Sequence, residues 1–178
     1  YECINIYTAL ITAKEIAKPD VVFVRMGPGI AGTGTKYGFT GIEQGQILDA
    51  VKKLGGRPIA IPRISFADKR DRHQGISHHS ITVFDKIVNV DVNIPITIYE
   101  DEKLNKIKAQ IKENKLDEKH NIVFVENNKC KEDLEHFGLK VKSMGRNYDE
   151  DSEFFDSASS AAYYLMEVCH DWERKYCK

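Results

Sequence analysis

Hydrophobic and polar positions along the chain follow two periods, which predict helices separated by strands. Apolar residues spaced three and four apart favour amphipathic helices, and short β-branched or alternating runs favour strands. The helical pattern covers residues 1–17, 41–54, 78–88, 100–116, 131–137 and a last segment that starts after residue 152. The strand pattern covers residues 21–26, 57–65, 91–99, 121–125 and 139–144.

This order of elements predicts an α/β fold. Five strands separated by helices favour a doubly wound, mostly parallel five-stranded sheet with helices on both faces, in a Rossmann-like three-layer arrangement. Pro58 and Pro62 interrupt the second strand, which we therefore expect to be irregular or close to an edge. No repeat or linker divides the chain, so we expect residues 1–178 to form a single α/β domain. Ligands in such folds bind beyond the carboxyl ends of the strands.

The two end helices carry the longest apolar stripes. The first helical pattern begins at Tyr1, without an N-terminal cap or a starting methionine, so we expect the chain to be a fragment, or a mature chain cut from something longer. A cut there would uncover an apolar face, which we expect the missing N-terminal segment or a second copy in a homo-oligomer to cover. The predicted inward positions are Ile4, Tyr7, Leu10 or Ile11, and Ala17 in the first helix, and Phe154, Ala158, Ala161, Leu165, Cys169, Trp172 and Tyr176 in the last.

Composition and charge restrict the classes of partner. Of the 178 residues, 42% are apolar and 30% charged, and the formal net charge is −1. A chain without a basic surplus does not favour nucleic acid or an anionic membrane as a partner. No apolar run approaches the length of a membrane span. The four cysteines form no Cys-x-x-Cys pair, which is typical of reduced thiols in a cytoplasmic protein.

The glycine-rich loop follows the first predicted strand and reads Gly27-Pro-Gly-Ile-Ala-Gly-Thr-Gly-Thr-Lys-Tyr-Gly38. Backbone N–H groups of such a loop, together with threonine hydroxyls, suit phosphate or carboxylate. The next helix starts too late for a dinucleotide fingerprint, and the second strand lacks the terminal acidic residue, so the pattern identifies no cofactor. The alternative to a binding loop is a structural turn. The expected anion-binding residues are Gly29, Gly32, Thr33, Gly34 and Thr35.

A second loop, which we call the histidine loop (residues 66–79), follows the second predicted strand and holds half of the six histidines. Arginine forks match phosphate and carboxylate oxygens, and histidine transfers protons near neutral pH. We expect both loops to lie at one edge of the sheet. The expected ligand-binding residues of this loop are Arg70 and Arg72, and the expected catalytic residues are His73, His78, His79 and Asp68.

Two alternatives remain for the histidine loop. A short run of mixed charge is often only a solvated surface loop. Histidine also ligates metals, but adjacent histidines seldom bind one ion together, so we expect no bound zinc. Arg146 follows the fifth predicted strand and either points to the same edge or pairs with Asp149 or Asp151.

Residues 1–80 contain four long and specific stretches: Gly27-Pro-Gly-Ile-Ala-Gly-Thr-Gly-Thr, Gly38-Phe-Thr-Gly-Ile-Glu-Gln-Gly45, Gly55-Gly-Arg-Pro58 and Arg63-Ile-Ser-Phe-Ala-Asp-Lys-Arg-Asp-Arg-His-Gln-Gly-Ile-Ser-His-His79. On these stretches the chain resembles a bacterial family known only as a domain of unknown function. The resemblance implies that members are longer, that this chain is their C-terminal portion, and that at least one more βα unit precedes it. It implies no activity and no catalytic residues.

Three functional hypotheses follow. The first is a cytoplasmic enzyme that binds a small phosphate- or carboxylate-bearing metabolite and uses arginine and histidine for charge neutralisation and proton transfer. The second is a non-catalytic ligand-binding or regulatory module with the same cleft. The third is a structural domain whose loops dock against its own N-terminal segment.

Overall fold

The structure is a computed structural model that describes residues 2–27, 29–127 and 129–176, with side chains up to residue 170. The α-helices are α1 (Ile6–Thr12), α2 (Glu43–Lys53), α3 (His78–Thr82), α4 (Asp101–Glu113), α5 (Leu116–Lys119), α6 (Cys130–His136) and α7 (Ser152–Tyr176). The strands are β1 (Ile64–Ser65), β2 (Gly75–Ile76), β3 (Asn93–Thr97) and β4 (Asn121–Val125). Short π-helical turns extend α1 (Ala13–Ala17) and α3 (Val83–Ile87), and 3₁₀ turns cover Thr40–Ile42, Asp71–His73 and Tyr148–Glu150.

The predicted five-stranded, Rossmann-like sheet is wrong. The strands of the described residues form two separate sheets of two strands each. β3 and β4 pair in parallel, with Asn93 opposite Asn121 and Thr97 opposite Val125. β1 and β2 pair antiparallel, with Ile64 opposite Ile76. The parallel pair extends only by an isolated bridge between Ile59 and Asn93.

Each lost strand has a physical reason. Residues 21–24 are apolar but exposed, and no strand forms there, so the β-branched run alone was insufficient. Pro58 and Pro62 lack the N–H groups that a longer second strand would need, and only Ile64–Ser65 remains. Residues 143–146 form a two-residue hairpin turn in which Met144 and Gly145 have positive φ (52° and 83°).

The predicted helices are confirmed, although the expectation that the first lacks a cap is wrong. The Asn5 side chain accepts from the Thr8 N–H at 3.1 Å and starts α1. In α4, Leu104, Ile107 and Ile111 are buried at helical spacing. The short α5 escaped prediction. On α7, Ala161 is buried but Ala158 is exposed, and the predicted inward side chains of Trp172 and Tyr176 lie outside those described.

The hydrophobic core joins β1, β2 and β3 to α2, α3 and α4, and α7 packs on β1, β3 and β4. Ile64, Ile96 and Ile107 are fully buried at its centre. The first helix contributes little to this core, because Ile4, Tyr7 and Ile11 remain exposed. Among the helices of the described residues, none is both long and apolar enough to cross a membrane.

Candidate functional site

The histidine loop is held in place from both ends. It leaves β1, returns through β2, and then enters α3, where Ser77 is the N-cap residue. The Gln110 side chain on α4 accepts from the Ile76 N–H at 2.8 Å and donates to the Gln74 and Ile76 carbonyls. Gly75 has a φ of +74°, and a Cβ there would lie 2.4 Å from Gln110 Oε1. A glycine is therefore required where α4 approaches the loop.

His73, His78 and His79 form one compact cluster, which we call the histidine cluster. Ring centroids lie 4.7 Å apart for His73 and His78, 5.5 Å for His73 and His79, and 4.0 Å for His78 and His79. One ring nitrogen from each residue lies within 4.8 Å of those of the other two. His73 is buried, whereas His78 and His79 are partly exposed. A ligand can therefore reach the cluster from solvent.

Hydrogen bonds and packing orient each ring. His78 Nδ1 lies 3.2 Å from the Arg72 carbonyl, which can only accept, so Nδ1 carries the proton and Nε2 keeps a lone pair. His73 Nδ1 lies 2.9 Å from the buried Ser77 hydroxyl. His79 stacks on Phe39 with a centroid distance of 4.3 Å. The histidine loop thus provides the neighbours of His73 and His78, and Phe39 provides that of His79.

Asp68 and two arginines form an ion-pair network beside the cluster. Arg70 donates from Nε and Nη2 to both carboxylate oxygens of Asp68, at 3.0 and 2.9 Å. Arg63 Nη2 lies 3.4 Å from Asp68 Oδ2. Arg63 Nη1 is buried and has no hydrogen-bond partner among the described residues. Hydrogen bonds from Arg70 hold the pKa of Asp68 well below its usual range. The carboxylate therefore stays charged and holds Arg70 and Arg63 together.

Burial and positive charge keep the three imidazoles neutral. Burial, aided by Arg70 and Arg63, lowers the pKa of His73 to about 4. Burial, aided by His78 and Arg72, lowers the pKa of His79 to about 4. Burial also lowers the pKa of His78. Near neutral pH each ring therefore offers a lone pair.

Phe39, the residue that follows the glycine-rich loop, stacks on His79 of the cluster. The middle of the loop is a closed turn: the Thr33 N–H donates to the Gly38 carbonyl at 2.7 Å, and the Thr33 and Thr35 hydroxyls bond each other at 3.0 Å. Gly29, Gly32 and Gly34 are exposed, and Pro28 lies outside the described residues. The structure thus supplies hydrogen-bond partners within the turn for the two threonines that the sequence suggested for an anion.

Sequence reasoning missed several residues of the site. Arg63 precedes the predicted loop, so its position beside Asp68 was not visible in the pattern. Ser77 and Gln110 are polar residues of common types, and only the folded chain shows their contacts. The Ser65 hydroxyl donates to Asp151 at 2.8 Å, and Arg146 pairs with the same carboxylate, which selects Asp151 over Asp149 as its partner.

A buried polar cluster fills the carboxyl ends of β3 and β4, where the sequence led us to expect a ligand. Thr97 Oγ1 donates to the Asp156 carbonyl at 3.1 Å, and Asn127 Nδ2 donates to the same oxygen at 3.0 Å. The Tyr148 hydroxyl donates to Asp156 Oδ1 at 2.9 Å. Burial raises the pKa of the Asp156 carboxyl. The start of α7 therefore occupies this edge, through the backbone and side chain of Asp156.

An open, mostly apolar cleft of about 1410 Å³ lies beside the histidine cluster. Its walls come from α1, the exposed segment 21–24, α2 and α7. Arg63, His79 and Ser80 also line the cleft, so one part of its wall is polar. His73 and His78 do not line the cleft.

The fold and site together define a protein with seven α-helices and two separate two-stranded sheets among its described residues, and with a histidine cluster beside an arginine–aspartate network. A family model described as "Protein of unknown function (DUF3866)" matches residues 1–162, and the chain belongs to this family. Comparison with curated proteins and with solved structures gave no match.

Proposed function

We propose that the protein binds a small phosphate- or carboxylate-bearing metabolite at the histidine cluster and its arginines. The observation that carries this proposal is the Nη1 atom of Arg63, which is buried and has no hydrogen-bond partner in the described part of the chain. A buried guanidinium nitrogen without an acceptor is costly, and an anionic oxygen would satisfy it.

The charge balance supports an anion. Arg63, Arg70 and Arg72 each lower the pKa of His78 and His79, so all three act on the cluster, and Asp68 offsets only one positive charge. Neutral imidazoles add lone pairs and, as for Nδ1 of His78, N–H groups. A bound anion would therefore meet guanidinium donors together with groups that accept a proton, which is the arrangement for acid–base chemistry on that ligand.

The test measures thermal unfolding of the chelator-treated protein with increasing phosphate or sulfate. Protection follows from binding to the folded state alone, and amounts to about 2.7 kcal/mol at 100 times Kd. We expect Arg72→Ala to lose most of this shift, because Arg72 is one of the three positive charges that act on the cluster. Its side chain is exposed, so the substitution does not disturb the core. Lys69→Ala, an exposed cation of the same loop, is the matched control and should keep it. Equal protection of both variants and the wild type would contradict the site.

A further inference from the structure

We propose that His73, His78 and His79 bind a divalent transition metal ion, best matched by zinc, and leave one coordination position open. This proposal goes beyond the anion site and stands whether or not an anion binds there. One nitrogen from each ring lies within 4.8 Å of the others. A tetrahedral ion with bonds of about 2.0–2.1 Å needs its ligand nitrogens about 3.4 Å apart, so side-chain adjustments of about an ångström complete the site.

The adjacency of His78 and His79 in sequence argues against a shared ion, but the folded chain brings their rings and that of His73 together. His73 ends the 3₁₀ turn Asp71–His73, while His78 and His79 begin α3. β2 lies between the 3₁₀ turn and α3 in sequence, and it brings the buried His73 back against the start of α3. The adjacent rings of His78 and His79 lie on the same side, with centroids 4.0 Å apart. The cluster is therefore preformed in the folded chain.

Two of the rings have the outer contacts that metal-binding histidines use. Such residues commonly donate their second ring N–H to a carbonyl or another polar group, which fixes the tautomer and aims the other nitrogen at the ion. His78 donates from Nδ1 to the Arg72 carbonyl, and His73 Nδ1 lies against Ser77 Oγ. Stacking on Phe39 limits rotation of the His79 ring.

The charged groups around the cluster affect which fourth ligand an ion would take. Metal binding uses the neutral form of each imidazole, so the three rings would add no charge of their own. The nearby arginines oppose a dication, but Asp68 pairs with Arg63 and Arg70, which reduces their field. The remaining positive charge favours an anionic fourth ligand over a fourth protein group.

The test titrates the chelator-treated full chain with Zn²⁺ in competition with a chromogenic chelator. The exposed thiol of Cys3 is replaced by Cys3→Ser to remove a competing ligand. We expect one zinc per chain, and visible absorption bands typical of tetrahedral coordination when Co²⁺ replaces zinc. His78→Ala and His79→Ala should each weaken zinc binding at least about tenfold. His136→Ala, an exposed histidine on α6, should bind zinc like the wild type.

Metal-free thermal unfolding checks that each variant folds. His78 and His79 are preferred to His73 because they are partly exposed, so their loss spares the core. Absence of zinc binding in a folded wild type overturns the metal site, as does equal binding by the His78 and His79 variants. Phosphate protection of the metal-free protein is measured separately. A protein that binds no zinc can therefore still bind phosphate, and a protein that phosphate does not protect can still bind zinc.

Discussion

At the residue scale, stability depends on positions where the backbone has a positive φ and a neighbouring atom leaves no room for a side chain. Gly75 is such a position, since its φ is +74° and a Cβ there would lie only 2.4 Å from Gln110 Oε1. The loop depends on this glycine, because the turn brings its backbone within hydrogen-bond distance of α4.

Replacing Gly75 by alanine should therefore destabilise the protein. A non-glycine residue in this conformation costs about 1–3 kcal/mol, and the 2.4 Å contact adds to that cost. Urea unfolding measures the loss. Gly55→Ala is the matched control, because Gly55 has a similar φ of +79° but nothing within 4 Å of its Cβ. Equal losses in the two variants would show that the contact with Gln110 is unimportant.

At the element scale, a side chain of α4 fixes the histidine loop. Gln110 makes three hydrogen bonds to backbone groups of residues 74–76. Part of the support of the site therefore comes from a helix that is more than thirty residues away in sequence.

Removing the Gln110 amide should loosen the loop without disturbing the face of α4 that packs in the core. Gln110→Ala leaves the Ile76 N–H without its acceptor, and an unsatisfied buried donor costs about 1–3 kcal/mol. The loss is measured by chemical unfolding, together with the phosphate protection described above, which should weaken as well. Gln46→Ala, at an exposed position on α2, controls for loss of a glutamine. Unchanged stability and unchanged phosphate protection would show that the histidine loop keeps its conformation without Gln110.

Local pattern predicted the helices and the two strands of the parallel pair, but not how the strands assemble. Leu104, Ile107 and Ile111 repeat at helical spacing, and that signal needs no information from elsewhere in the chain. Residues 21–24 look like a buried strand in sequence, yet pairing depends on a partner, and here they are exposed. The residues of the histidine cluster were predictable by type, whereas Arg63, Ser77 and Gln110 join the site only through folding.

At the scale of the whole molecule, stability depends on the packing of α7 against the carboxyl ends of β3 and β4. Asp156 is buried there beside Tyr148, and burial raises the pKa of its carboxyl above the usual 3.8. The protonated form is favoured in the folded state. Its contribution to stability is therefore present below the usual pKa and is lost as pH rises through the raised one.

Asp156→Asn should remove this pH dependence, because asparagine keeps an acceptor for Tyr148 but carries no charge. The stability of the variant relative to the wild type should rise as pH increases from the usual pKa of 3.8 through the raised pKa of Asp156. Urea unfolding across that range measures the difference. Asp91→Asn should show no such rise, since a hydrogen bond from Lys52 lowers the pKa of Asp91 and keeps this carboxylate ionised above pH 3.8. A constant difference for Asp156→Asn would contradict the burial argument.

The Gln110 contact also determines how the histidine loop exchanges its amide protons with heavy water. The Ile76 N–H donates to a side chain of α4 and not to a neighbouring strand. Deuterium can reach this amide only when the loop moves away from α4, so its exchange rate reports that separation directly. A bound ion that ties the three imidazoles together would slow the exchange, although the ion does not touch Ile76.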